Sequence, residues 1–208
     1  MTIAIIDYGM GNVRSLMNAF EYIGENTIMS ADPAELEEAD RLVLPGVGAF
    51  GDAMKAIHAS GLLPVLNRLA LDIKKPILGV CLGMQLFART SLEHGTHEGL
   101  GWLDATIVPL EVEAPAKVPH VGWNAVHFNN DDWLFSGLPS GESDYYFVHS
   151  FHMLCADPKD RIATTDHGGT VTAAVRQGNL VATQFHPEKS QDNGLQLLKN
   201  WMAHDFSC

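Results

Sequence analysis

Short apolar runs alternate with stretches of helical spacing through the first half of the chain, the pattern of strand, helix and parallel strand in succession. Ile3 to Ile6, Arg41 to Leu44 and Pro76 to Val80 are short, mainly apolar runs and predict buried strands. Between the first two, Val13, Leu16, Met17, Phe20 and Ile23 recur at helical spacing and predict a helix covering the sheet. Asn12 stands where an N-cap is expected and Gly24 where the helix stops.

From about Asp104 the pattern shifts to strands and turns. In VTAAVRQGNLVATQF, Gly178-Asn179 separates two alternating runs and predicts a hairpin. A last helix is expected over roughly Asp192 to Ala203, with Leu195, Leu198 and Met202 on one stripe and a cap near Ser190. No repeat, linker or low-complexity segment interrupts the 208 residues, so one domain over 1–208 is the expectation.

Composition narrows the class without naming a function. Apolar residues at 46% and charged residues at 18% suit an ordinary globular core. Thirteen Lys plus Arg against twenty-five Asp plus Glu give a net charge of −12, which repels phosphate backbones and anionic headgroups, so neither nucleic acid nor a membrane surface is expected as a partner. The start, MTIAIIDYG, has no basic leader, and no apolar run approaches the roughly 20 residues of a membrane span. A cytoplasmic location is expected. Cys81, Cys155 and Cys208 are too few and too scattered for a disulfide framework, so a special cysteine here is a chemical one.

Cys81 is the candidate. The strand ending at Val80 runs into Gly79-Val80-Cys81-Leu82-Gly83, and a helical stretch with Met84, Gln85, Leu86 and Phe87 follows. This is the frame of a nucleophile elbow, with cysteine in the serine position and glycines where side chains would crowd the bend. A helix N-terminus favours the anionic form of a sulfur placed there. The N–H of Leu82 then faces a developing oxyanion, and Pro45-Gly46-Val47-Gly48 can supply a second donor, with Val47 N–H the candidate and Gly48 beside it. Near the end, Gln184-Phe185-His186-Pro187-Glu188 closes the last apolar strand. His186 is the candidate general base for Cys81, and because residues two apart in extended chain share a face, Glu188 can fix its tautomer and stabilise its cation.

Taken singly, Cys81 reads as a buried small hydrophobe, His186 as a core histidine and Glu188 as a solvated charge. Their joint occurrence is hard to explain structurally. Gly9-Met10-Gly11-Asn12 lacks the third glycine of a dinucleotide fingerprint, because position 14 is Arg, and reads as a tight turn. His149 and His152 are expected on opposite sides of an extended segment, and His94 and His97 have no thiolate neighbour, so no metal site and no cofactor are expected.

On these residues the chain resembles the class I glutamine amidotransferases, and among them the glutaminase subunits of imidazole glycerol phosphate synthases. The resemblance rests on IDYGMGNVRS within 3–15, LPGVGAFGDAM at 44–54, GVCLGMQLF at 79–87, KVPHVGWN at 117–124, YFVHS at 146–150 and QFHPEKSQ at 184–191. It implies an α/β, flavodoxin-like sandwich, with a mainly parallel central sheet, helices on both faces and added antiparallel strands in the C-terminal half. It further implies that Cys81 attacks the side-chain amide of L-glutamine, releasing ammonia and leaving a thioester that water hydrolyses to glutamate. Gln85 and Glu93, with the backbone of His149 and Ser150, are implied to hold the amino-acid end.

The ammonia is implied to pass to a (β/α)8-barrel cyclase partner in a heterodimer, docked on a face that includes Asn12, Lys117 and Trp123. Rotation of the Pro45–Gly48 loop is implied to complete the oxyanion hole. Two features depart from the pattern, Phe151 where the family often has Tyr, and ARTSLEHGTHEG at 88–99. A glutaminase serving a sugar amidotransferase of surface polysaccharide synthesis therefore stays open as an alternative. So do a cysteine peptidase and a non-catalytic binding module on the same fold.

Overall fold

In the computed structural model, which describes residues 1–139 and 141–206, the strand and helix order begins as the spacing predicts. β1 (Thr2–Ile6), α1 (Val13–Tyr22), β2 (Asn26–Ser30), α2 (Pro33–Glu38), β3 (Arg41–Leu44), α3 (Phe50–Ala59), α4 (Leu63–Asn67), β4 (Ile77–Val80) and α5 (Leu82–Leu86) form the first half. β5 (Ala88–Ser91), β6 (His97–Glu98), β7 (Leu103–Pro109), β8 (His120–Phe128), β9 (Glu142–His149), β10 (Phe151–Cys155), β11 (Arg161–Asp166), β12 (Thr170–Gln177), β13 (Leu180–Thr183) and α6 (Gln191–Ala203) follow.

Nine strands make the central sheet in the order β2-β1-β3-β4-β13-β12-β11-β8-β9. Neighbours from β2 through β13 run parallel, and from β13 through β9 each pair is antiparallel. The sheet is covered on both faces, which explains its uninterrupted apolar strands. Side chains alternate along β1, so Ala4 and Ile6 enter one core, and Ile3 and Ile5 the other. The first core takes residues of α2, α3 and α5 and the inner face of a second sheet, ordered β10-β7-β5-β6. The second takes α1 and α6. The result is the α/β architecture that the resemblance implied.

Several expectations need correction. β2 departs from the pattern, because Asn26, Thr27 and Ser30 break an apolar run and only Ser30 of the strand is buried. Asn12 occupies the N-cap position of α1 and Ser190 that of α6, yet neither side chain makes a capping bond. The buried stripe of α6 is Gly194, Leu197, Leu198, Trp201 and Met202, so Leu195 lies at its edge. The hairpin at Gly178-Asn179 is present between β12 and β13, with Gln177 paired to Leu180. Cys208 lies outside the described residues.

Parallel pairing of β4 with β13, Val80 against Thr183, brings two distant parts of the chain to one sheet edge. Cys81 follows the first strand and Gln184 the second. Ligands of parallel α/β sheets bind at the C-terminal ends of the strands, and that is where these residues emerge.

Candidate active site

Cys81 sits between β4 and α5 at φ 56° and ψ −112°, a backbone that L residues seldom adopt. Its N–H donates to Thr183 O at 2.8 Å, and its carbonyl accepts from Met84 and Gln85 at 3.0 and 3.3 Å. Gly83 is demanded by the approach of α5 to the end of β3, since a Cβ there would lie 1.9 Å from Leu44 O. Gly46 is demanded by the same contact from the other side, where a Cβ would lie 2.8 Å from Gly83 N. The elbow and the Pro45–Gly48 loop therefore abut. Tyr8 Oη, donating to Pro45 O at 2.7 Å, ties that loop to the end of β1.

His186 and Glu188 meet by a different route from the one expected. β13 stops at Thr183, and Pro187–Lys189 form a 3-10 turn after an extended His186. The turn, rather than the pleat of a strand, sets His186 Nδ1 2.8 Å from Glu188 Oε1. Pro187 starts that turn where a missing N–H costs nothing. Both side chains are almost fully withdrawn from solvent, at 2% and 1% exposure. Gly194 lets α6 close against the turn, since a Cβ would lie 1.9 Å from Pro187 O.

Ser190, expected as a helix cap, instead fastens this turn to β9. Its Oγ donates to His186 O at 2.6 Å and accepts from Tyr146 N at 3.0 Å, while His186 N donates to Tyr146 O at 2.9 Å. His186 is thereby held at its carbonyl, its N–H and its ring. Burial alone would lower the pKa of His186, but the adjacent Cys81 sulfur and the Glu188 carboxylate outweigh it and raise it to about 9. Both neighbours favour the cationic form of the ring.

A cavity of about 380 Å³ opens beside Cys81 and His186. Val47, Gly48 and Leu82 line it, as do Gln85, Glu93, His149 and Ser150. All the residues expected to touch the substrate thus share one space. Gly48 at φ 98° gives the loop a backbone that glycine tolerates, and the Val47 side chain is exposed. Glu93 Oε2 is engaged with the first N–H of α3, at Phe50, 2.7 Å away. Among the described residues, no group of three His, Cys, Asp or Glu side chains converges as a metal site.

The ring of His149 is occupied within the chain. Its Nδ1 donates to Phe151 O at 2.9 Å, and burial lowers its pKa to about 4, so the ring is neutral and Nε2 is an acceptor. His120 Nδ1, 2.9 Å away, is therefore the donor, and His120 Nε2 accepts from Asn124 Nδ2 at 3.1 Å. Burial, with His149 and His167 close by, holds the pKa of His120 down at about 3. His152 lies in the second sheet and takes no part. His120, Gln184 and Ser190 do not stand out from sequence as site residues. The only signal is their place in the KVPHVGWN and QFHPEKSQ segments.

Asn12, Lys117 and Trp123 are separate from this cavity. Trp123 is 49% exposed on β8, two residues from Val121 at 56%, with its ring edge toward Tyr146 at 6.2 Å. Lys117 is exposed and its carbonyl accepts from His167 Nε2 at 2.8 Å. No helix of the described residues is long and apolar enough to cross a membrane.

The model of the family "Glutamine amidotransferase class-I" matches residues 4–204. The chain belongs to the class I glutamine amidotransferases. This amidotransferase is 48% identical over 205 residues to the imidazole glycerol phosphate synthase subunit HisH of Sulfurimonas denitrificans, covering 97% of this chain and 98% of the relative. It is 45% identical over 206 residues to the HisH subunit of Zymomonas mobilis, covering 97% and 95%. The solved structure of PurLQS from Thermotoga maritima shares the fold, with a TM-score of 0.73 at 18% identity over 97% of each chain. At a class I amidotransferase elbow, cysteine is the nucleophile that the family's chemistry requires.

Proposed function

We propose that this chain is the glutaminase subunit of an imidazole glycerol phosphate synthase, hydrolysing L-glutamine to glutamate and ammonia for histidine biosynthesis. One observation carries the reading. A cysteine on a strained elbow shares a cavity with a buried imidazole held by a carboxylate.

Cys81 Sγ attacks the carboxamide carbon of glutamine, and the N–H groups of Leu82 and Val47 receive the negative charge that develops on its oxygen. His186 begins the cycle as the imidazolium, so its first act is to protonate the departing nitrogen. The C–N bond breaks and ammonia leaves, with the acyl group held as a thioester on Cys81. The now neutral His186 takes a proton from water, which attacks the thioester, releases glutamate and restores the thiolate–imidazolium pair. Glu188 holds the ring through Nδ1 in both halves.

The ammonia passes to a (β/α)8-barrel cyclase docked on the face of Asn12, Lys117 and Trp123, and the two chains form a heterodimer. Ammonia loses its nucleophilicity on protonation in water, so a shielded transfer preserves the reactive form. The HisH relatives favour the histidine branch over sugar amidation, since both span this chain almost completely. Gln85 and the Pro45–Gly48 loop, which line the cavity, suit a free amino acid better than a peptide.

The test is Cys81→Ala in complex with the cyclase. Glutamine-dependent synthesis of imidazole glycerol phosphate is lost, and synthesis from added ammonia is retained. Glutamine hydrolysis surviving in that variant overturns the assignment.

A further inference from the structure

Gln184 is fully buried and is the first residue after β13, next to the nucleophile. Its amide lies between two groups of the site. Oε1 is 2.9 Å from Gln85 Nε2, and Nε2 is 4.0 Å from Cys81 Sγ. Gln85 Nε2 also lies 3.0 Å from Phe151 O.

A carbonyl oxygen can only accept. The Gln85 atom facing Phe151 O is therefore the nitrogen, and the Gln184 atom facing that nitrogen is the oxygen. Gln184 Nε2 is then turned to the sulfur, 4.0 Å away. Each hydrogen on Gln85 Nε2 is spoken for, one by Gln184 Oε1 and one by Phe151 O, so the part of the Gln85 amide left for the cavity is its Oε1.

We propose that Gln184 is a positioning residue that locks the Gln85 amide with its carbonyl oxygen toward the substrate, making that point of the pocket an obligate hydrogen-bond acceptor. Its complement is an N–H of the bound amino acid. The inference deepens the glutaminase reading and rests on it. Without Gln184 Oε1, only Phe151 O constrains the Gln85 amide, and rotation about its last bond can present a donor where an acceptor is needed.

The test is protection of Cys81 from iodoacetamide by glutamine, followed on the full chain by mass spectrometry of the Cys81 peptide. Wild type must show protection, and its absence there sinks the glutaminase reading rather than the role of Gln184. In Gln184→Met, close in size but unable to accept from Gln85, the half-protecting glutamine concentration rises about tenfold, the equivalent of one lost hydrogen bond. Gln184→Met added to Gln85→Met produces no further rise, because the two act as one unit.

Equal protection in wild type and Gln184→Met, or additive losses in the double variant, each overturns the proposal. Far-UV circular dichroism and Tm accompany every variant. If Gln184→Met does not fold, Gln184→Asn, too short to reach Gln85, replaces it with the same tenfold rise expected and an unchanged value overturning the proposal.

Discussion

His186 Nδ1 and Glu188 Oε1 are 2.8 Å apart in a site that water hardly reaches, and the carboxylate helps keep the imidazole protonated to about pH 9. Glu188→Gln keeps the shape and removes the charge. Its kcat falls by roughly 10²-fold, and the basic limb of the pH–rate profile moves to lower pH as the imidazolium loses its partner. A profile unchanged in position shows that Glu188 does not govern the charge of His186. The stability sign agrees. A histidine with a raised folded pKa contributes fully below pH 6.5, and that contribution fades as pH rises through about 9.

Gly83→Ala places a methyl group against Leu44 O, at a separation of 1.9 Å before relaxation. Backbone on both sides leaves no flexible side chain to yield, so stability falls by about 3 kcal/mol. Urea unfolding measures the loss. Alkylation of Cys81 also slows in the variant, because the elbow must shift to make room.

His120 and His149 are buried as neutral rings with pKa values near 3 and 4, against 6.5 in unfolded chain. The unfolded state binds more protons below pH 6.5, so stability drops as pH falls from there toward 4. Protonation also adds a hydrogen to an acceptor nitrogen and breaks the Asn124–His120–His149 sequence of bonds. Tm measured between pH 4 and 7 declines in wild type and declines less steeply in His120→Leu. The variant is less stable throughout by about 1–3 kcal/mol, since His149 Nε2 loses its donor. Equal slopes in the two proteins contradict the assignment of buried neutral rings.

Trp123→Ala tests the docking face without touching the cavity. Exposed aromatic anchors carry a large share of interface energy, so affinity for the cyclase falls at least tenfold. Alkylation of Cys81 in the isolated chain stays as in wild type. Calorimetric titration that finds the affinity unchanged removes Trp123 from the interface.

The strands around the nucleophile are legible because burial on both faces makes β1, β3 and β4 apolar apart from Thr2 and Arg41 at their first positions. The elbow is legible because Gly79 and Gly83 flank Cys81, and the 1.9 Å approach to Leu44 O shows why Gly83 must be glycine. β2 is hidden because only one of its five side chains is buried, so its place depends on hydrogen bonds to β1 that side-chain pattern does not encode. The turn at Pro187 resembles strand in sequence, since extended His186 fits either reading and the 3-10 bonds form only after it. Gln184 and His120 are invisible as site residues for another reason. Their partners are 99 and 29 residues away, and neither amides nor lone histidines mark such distances locally.

β4 and β13 lie side by side, yet their residues are a hundred positions apart in synthesis. While the ribosome is still making the last quarter of the protein, the strand that ends in Cys81 has one bare edge and its cysteine has no imidazole beside it. A nascent chain therefore cannot consume glutamine. Competence waits for β13 and for the His186 turn that follows it.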